Sequence, residues 1–362
     1  MKRFTTLFFP LSLTHPIRKF VVSDQPRPPR IHDVAKLAGV SVATVSRAIS
    51  NPAIVSEATR QAVEAAIAQT GYTLNFTARN LRQQQVGGVL ALVPNLANPF
   101  FSQILSGISE VLRSHHLSLL VMDTTAVPDQ PAMTVLGPYL TRSRSDGVIV
   151  LDGQMDPHLF ARAGCPPLVQ ACESIEGLSA PRVLADNVEG GRLAARHLTD
   201  LGHRRILHLT GPEGSSLTTS RREGFLRGLA QAGLPAPDDS HRMTGDFTAR
   251  FGQQVAAHLL AMPDRPSAVF CDNDEMAIGL MHGLIAAGLN VPRDISVMGF
   301  DNIEMAAYCS PGLTTIRQHR ARLGRRAAEL LLAQMKGQTV TDHVTLGVDL
   351  VVRGSTGPCA ET

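Results

Sequence analysis

Between Arg30 and Asn51 apolar residues recur with the period of a helix, at Ile31, Val34, Ala35 and Ala38, stop at Gly39, and resume from Val42 to Ile49. The pattern predicts a helix, the turn Gly39-Val40-Ser41 and a second helix, with glycine closing the first and Ser41 capping the second. Arg30 stands where a capping side chain is usual, so the first helix frays unless Asp33 supports its N-terminus. A third helix is expected from Glu57 to about Thr70, capped by Ser56, closed by Gly71, and turning Val63, Ala66 and Ile67 inward. Three helices this small share a minimal core and make a marginally stable module of about 45 residues. Asn75 to Arg82 reads as one further helix of barely two turns, capped by Asn75 and too short to persist alone.

From Val86 the period changes. Eight near-continuous apolar runs, GGVLALVP, LSLLVMD, DGVIVLD, PPLVQAC, RVLAD, RRILHLTG, PSAVFCDND and DISVMGFD, alternate with helical stretches such as PFFSQILSGISEVLRS and TSRREGFLRGLAQAG. Such strands are covered by helices on both faces, which predicts parallel sheets. The run is too long for one sheet, and a break near Asp186-Asn187 predicts two doubly wound subdomains side by side. Ligands of open parallel sheets bind at the carboxyl ends of the strands. Here those ends are Pro94-Asn95, Asp123, Asp152, Cys172-Glu173, Gly211-Pro212, Asp272-Asn273-Asp274 and Phe300-Asp301-Asn302, two polar rims that can enclose a small polar molecule.

Length and composition agree with two or three globular domains: 362 residues, 44% hydrophobic and 18% charged. The net charge of +3 hides an asymmetry, because residues 1–85 carry 11 Lys/Arg against 4 Asp/Glu and the remainder is acidic. Only the basic N-terminal part is suited to a polyanion. The outer side of the second helix, with Thr44, Ser46 and Arg47, offers donors to phosphates and base edges. By spacing alone, an ordinary surface helical hairpin fits the same pattern. Five cysteines, odd in number and without metal-ligand spacing, indicate neither a disulfide framework nor a zinc site and fit a reducing cytoplasm. Residues 1–29 read as a disordered extension, Pro10 breaking the apolar run that imitates a signal peptide. No stretch approaches the roughly 18 apolar residues of a membrane span. No dinucleotide fingerprint, P-loop, nucleophile elbow or HExxH occurs, and His115, His116 and His203 are expected at the surface, so no enzyme is indicated.

Among the rim residues, Asp301 can accept from two vicinal hydroxyls, Arg221 offers a fork of donors, and Asn273 can donate and accept at once. Turn and capping work is the alternative for Asp301 and Asn273. Glu173 is a further candidate for a hydroxyl contact.

DVAKLAGVSVATVSRAISN, followed by VSEATRQAVEAAIAQTGYTLNFTARNLR, resembles the DNA-binding headpiece of the LacI/GalR family of bacterial transcription regulators, and the resemblance extends to about Thr356. It implies an all-α helix-turn-helix headpiece over 30–74, a hinge helix and linker over 75–85, and a periplasmic-binding-protein-like α/β body over 86–356. One subdomain would take about 87–187 and 318–348, the other about 189–316 and 350–356, leaving 357–362 as a tail. Implied partners are double-stranded operator DNA, a small-molecule effector and a second copy of the chain, with a tetramer left open; no cofactor and no membrane are implied. By the same resemblance Val42, Ala43 and Arg47 read the major groove beside the cap Ser41, Thr44 meets phosphate, and Asn75 and Arg79 belong to a hinge helix whose Leu81 wedges into the minor groove. Phe100, Phe101 and Phe247 join Arg221, Asn273 and Asp301 around the effector; for Phe100 and Phe101 packing at a helix start is the alternative. SAVFCDNDEMAIG, GFDNIEMAAYCSPGLTTI and GRRAAELLLAQMKGQTV look most like the nucleoside-responsive branch, although sugar-responsive members share most of these letters. The rivals are a small-molecule binding or transport protein without DNA function and, further off, a Rossmann-type enzyme. Leu81→Ala should weaken binding to a specific operator far more than binding to random DNA in a filter-binding titration; equal losses on both would exclude the wedge.

Overall fold

The computed structural model describes residues 27–73, 80, 85–125, 132–236 and 241–359, with 132 and 133 as backbone only. Asn75, Arg79 and Leu81 lie outside them. The chain divides into two compact units, Met1–Asn75 and Phe76–Thr362.

In the first unit α1 (Ile31–Ala38), α2 (Val42–Ser50) and α3 (Glu57–Thr70) surround Val34, Ala35, Val45, Ala48, Val63 and Ala66, with Ile31, Ile49, Ile67 and Tyr72 closing the edges. Every helix start has a local cause. Asp33 makes up for the missing cap on Arg30, its carboxylate accepting from the Arg30 amide at 2.7 Å. Ser41 accepts from the Thr44 amide at 3.1 Å and Ser56 from the Thr59 amide at 3.3 Å. Gly39 and Gly71 close α1 and α3 with φ of 67° and 66°.

The second unit contains two six-stranded sheets. In chain order the first five strands are β1 (Gly88–Val93), β2 (Ser118–Asp123), β3 (Gly147–Val150), β4 (Leu168–Ala171) and β5 (Arg182–Ala185). They are followed by β6 (Ile206–Thr210), β7 (Arg242–Thr244), β8 (Ala268–Cys271), β9 (Ser296–Asp301), β10 (Thr314–Gln318), β11 (His343–Leu346) and β12 (Val348–Val351). One sheet has the order β11-β5-β4-β3-β1-β2, the other β12-β10-β9-β8-β6-β7. The four strands β7, β10, β11 and β12 escape the hydrophobic pattern because they are short and carry polar residues such as Arg242, Arg317, His343 and Asp349. The second sheet also departs from an all-parallel arrangement, since β12 runs antiparallel to β10 along its edge.

Only single residues separate elements of different lobes. Asp186 lies between β5 and α6 (Asn187–Asp200), which packs on β10 and β12. His319 lies between β10 and α11 (Arg320–Met335), which packs on β3, β4 and β5, and Gly347 lies between β11 and β12. Gln318 belongs to the second sheet, so the second crossing falls slightly later than expected.

The helices α4 (Phe100–Ser114), α7 (Ser216–Gln231), α8 (Ala249–Ala261) and α9 (Asp274–Ala286) complete three tight pairs, α4 with α11, α6 with α7 and α8 with α9, to which the short α5 (Ala132–Leu136) and α10 (Met305–Tyr308) do not belong. Each pair crosses through reciprocal glycines. A Cβ on Gly107 would sit 2.1 Å from the Ala321 carbonyl oxygen, and one on Gly324 2.1 Å from that of Ile104. The equivalents are Gly191 against Arg221 and Gly224 against Val188 in the second pair, Gly252 against Met276 and Gly279 against Ala249 in the third. These glycines, each unfavourable within a helix by about 1 kcal/mol, are present because no side chain fits between the backbones.

His203 contradicts the expectation of surface histidines. It is 2% exposed, its Nδ1 lying 2.9 Å from Ser267 Oγ and its Nε2 3.1 Å from the Gly357 carbonyl, so it fastens the C-terminal segment to the base of the second lobe. Burial holds its pKa below the usual imidazole value.

Gly224→Ala would place Cβ 1.8 Å from the Val188 carbonyl and must force α6 and α7 apart. It should cost about 2 kcal/mol of stability in denaturant unfolding, within the range for overpacking. Gly347→Ala, with nothing within 4 Å, should stay close to wild type.

Candidate functional site

On α2, Val45 and Ala48 are buried while Ser41, Ala43 and Arg47 are exposed and Val42 and Thr44 half-buried. Arg47 lies one turn beyond Ala43 and donates from Nε to its carbonyl at 3.3 Å, while its terminal nitrogens make no hydrogen bond among the described residues. The Thr44 hydroxyl is already shared with Ser41, 2.9 Å away. The outward face is therefore small at Ala43 and cationic at Arg47.

In the second unit the carboxyl ends of both sheets border one cleft of about 390 Å³. All seven residues expected around an effector, Phe100, Phe101, Glu173, Arg221, Phe247, Asn273 and Asp301, line it together. Phe100 and Phe101 open α4 and meet edge to face, their centroids 5.1 Å apart, so they pack at the helix start and wall the cleft at once. Asn273 caps α9, accepting from the Met276 amide at 3.0 Å and donating to the Phe247 carbonyl at 2.9 Å. Its capping work is thus real, and one lone pair and one N–H remain beyond it. Glu173 accepts from Ser215 Oγ at 2.6 Å, a bond from the first lobe to the second.

Arg221, at 2% exposure, donates from Nε to Asn187 Oδ1 at 2.9 Å and from a terminal nitrogen to the Asp272 carbonyl, and its guanidinium lies 3.9 Å from the centre of the Phe300 ring. Its other terminal nitrogen is 3.7 Å from Asp301 Oδ1. Asp301 also accepts from Gln318 Nε2 at 2.7 Å. Backbone strain gathers here: Cys172, Phe247, Asp301 and Asn302 are four of the five non-glycine residues with positive φ among the described residues.

Residues without a sequence signal also line the cleft, among them Thr125, Gln154, Ser215, Leu217 and Asp246. They come from loops and helix starts whose approach depends on both lobes at once. Arg320 stands behind the wall and ties the lobes, donating to the Phe100 carbonyl at 3.2 Å and the Asn302 carbonyl at 2.9 Å. Three rings, carboxylates and a guanidinium can hold a flat or puckered ring that carries hydroxyls.

Burial raises Asp301 from 3.8 to about 6, against the pull of Arg221 and Arg320. Behind it Asp274 is pushed well above the usual range by burial and by the charge of Asp301. Because the folded value of Asp301 lies above the unfolded one, its contribution to stability is intact below the unfolded value and is lost as pH rises through about 6. Asp301→Asn removes that loss. Its stability relative to wild type should therefore improve by up to about 3 kcal/mol between pH 4 and pH 7.5 in urea unfolding; a difference independent of pH would show that Asp301 ionises normally.

The family description "Bacterial regulatory proteins, lacI family" matches residues 30–75, and "Periplasmic binding protein-like domain" matches residues 195–356. The HTH-type transcriptional repressor CytR of Escherichia coli (strain K12) is 38% identical over 327 residues, covering 90% of this chain and 95% of that protein. The repressor PurR of Photobacterium profundum is 34% identical over 331 residues, covering 90% and 98%. Among solved structures, the Lac repressor dimer bound to operator and the anti-inducer ONPF superposes with a TM-score of 0.77 at 31% identity, over 91% of this chain and all of that one. A LacI family regulator from Enterococcus faecium with bound ribose gives 0.66 at 30% identity, over 75% and 99%. Headpiece, two-lobed body and 38% identity over 90% of the chain together place it in the lacI family of bacterial regulatory proteins, as a DNA-binding transcriptional regulator.

Proposed function

We propose that this regulator is a repressor that binds a near-palindromic operator as a homodimer and is controlled by a nucleoside held in the cleft between its lobes, without catalysing a reaction. Arg47 reads guanine from α2, a bidentate contact being worth about 1–3 kcal/mol of discrimination. Val42 and Ala43 touch apolar base edges, Ser41 and Thr44 lie against the phosphate backbone, and Asn75 and Arg79 support the Leu81 wedge. In the cleft Asp301 accepts from ribose hydroxyls, Arg221, Asn273 and Glu173 complete the polar contacts, and the rings of Phe100, Phe101 and Phe247 flank the base.

The observation that carries this reading is the convergence of those seven residues, from both lobes, on one ring-walled cleft of about 390 Å³. A ligand touching both rims favours one lobe arrangement, and a coupling of about 1–3 kcal/mol changes operator affinity five- to over a hundredfold. The likeness to the ribose-bound regulator from Enterococcus faecium favours a second reading, in which a pentose or other sugar takes the same place.

Thermal unfolding against cytidine, uridine, adenosine, ribose and xylose decides between them. A ligand at a hundred times its dissociation constant adds about 2.7 kcal/mol of stability. Nucleosides should raise the melting temperature, free pentoses should not, and Asp301→Ala should abolish the response. A shift with a sugar alone would replace the nucleoside reading.

A further inference from the structure

Where the body begins, one carboxylate holds three consecutive backbone amides. Asp146 Oδ1 accepts from the Val86 amide at 2.8 Å, and its Oδ2 accepts from Gly87 at 2.6 Å and Gly88 at 3.1 Å. On the other side of the same turn Asn80 closes the chain on itself, donating from Nδ2 to the Val86 carbonyl at 3.1 Å and accepting the Gln85 amide at 2.9 Å. Gly87 makes the arrangement feasible. Its φ is +84°, and a Cβ there would lie 2.0 Å from Asn80 Nδ2.

The position of this knot gives it a task. Asp146 directly precedes β3, and Gly88 begins β1; the two strands run side by side, Val89 opposite Gly147. At their far ends both reach the cleft, β1 through Pro94 and Asn95 and β3 through Leu151 and Asp152. The same two strands are therefore fastened at one end to the segment leading from residues 30–75 and at the other to the rim. Here a charged group satisfies three donors in a row, bonds that are stronger than neutral ones.

We infer that Asp146, Asn80 and Gly87 form an anchor that fixes where the hinge leaves the body, so that Asp146 is a positioning residue for specific operator binding although it touches neither DNA nor effector. The inference rests on the function proposed above. A loosened anchor lets the chain before Gln85 leave the lobe at variable angles. The DNA-binding unit keeps its own face, but two copies no longer hold a fixed half-site spacing.

The test uses full-length protein, a palindromic operator selected with the wild type, and random duplex DNA. Asp146→Ala should weaken operator binding tenfold or more while binding to random DNA stays within twofold. Gly87→Ala, which displaces Asn80 and strains the backbone whose amide the carboxylate holds, should act in the same direction. The thermal shift with cytidine should match wild type in both variants, which separates loss of the anchor from loss of the fold. Operator binding within twofold of wild type in both variants would overturn the anchor alone, as would equal losses on operator and random DNA. A wild type that prefers no duplex sequence would instead overturn the reading of function on which the anchor rests.

Discussion

At the three helix crossings a carbonyl oxygen of one helix touches the backbone of the next, with a glycine as the only residue that leaves room. Contacts of this kind do not slide, because any shift along the helix brings a Cβ against an oxygen. Each lobe is therefore stiff from its outer helices to its rim. The lobes are joined only at Asp186, His319 and Gly347 and by bonds that span them, such as Ser215 to Glu173 and Arg320 to Asn302. A ligand that touches both rims acts on a joint and not on a deformable body, which is what a two-state response to binding requires.

The rim is costly in itself. Cys172, Phe247, Asp301 and Asn302 adopt backbone conformations that side chains disfavour, and Asp301 and Asp274 share a site too dry for two charges. Stiff surroundings keep these groups in place. Without the packed helices behind them, the chain would relax to ordinary dihedrals and the carboxylates would turn toward water.

Short-range physics explains what was readable from sequence and what was not. The three-helix unit followed from periodicity and from caps that act within four residues, and even the weak start at Arg30 was identifiable together with its remedy, Asp33. Buried central strands such as β1, β3, β8 and β9 were visible as unbroken apolar runs. The strands β7, β10, β11 and β12 were not, since their polar residues erase the signal, and the antiparallel direction of β12 was not expected either. The rim showed the same division. Strand-end residues Glu173, Asn273 and Asp301 stood out by position, whereas Gln154, Leu217 and Arg320 reach the cleft or its wall only through the pairing of two lobes. His203 looked solvated because nothing nearby in sequence announces the Gly357 carbonyl it holds.

The two strands joined at Gly347 occupy the outer margins of different sheets, β11 beside β5 and β12 beside β10. During synthesis on the ribosome, then, neither lobe can be finished first. Both wait with β5 and β10 as bare margins, edges prone to pairing with other chains, until β11 and β12 emerge and cover the two within a few residues of each other. A nascent chain ending before His343 would therefore present β5 and β10, in place of the polar β11 and β12, as the margins of both sheets at once.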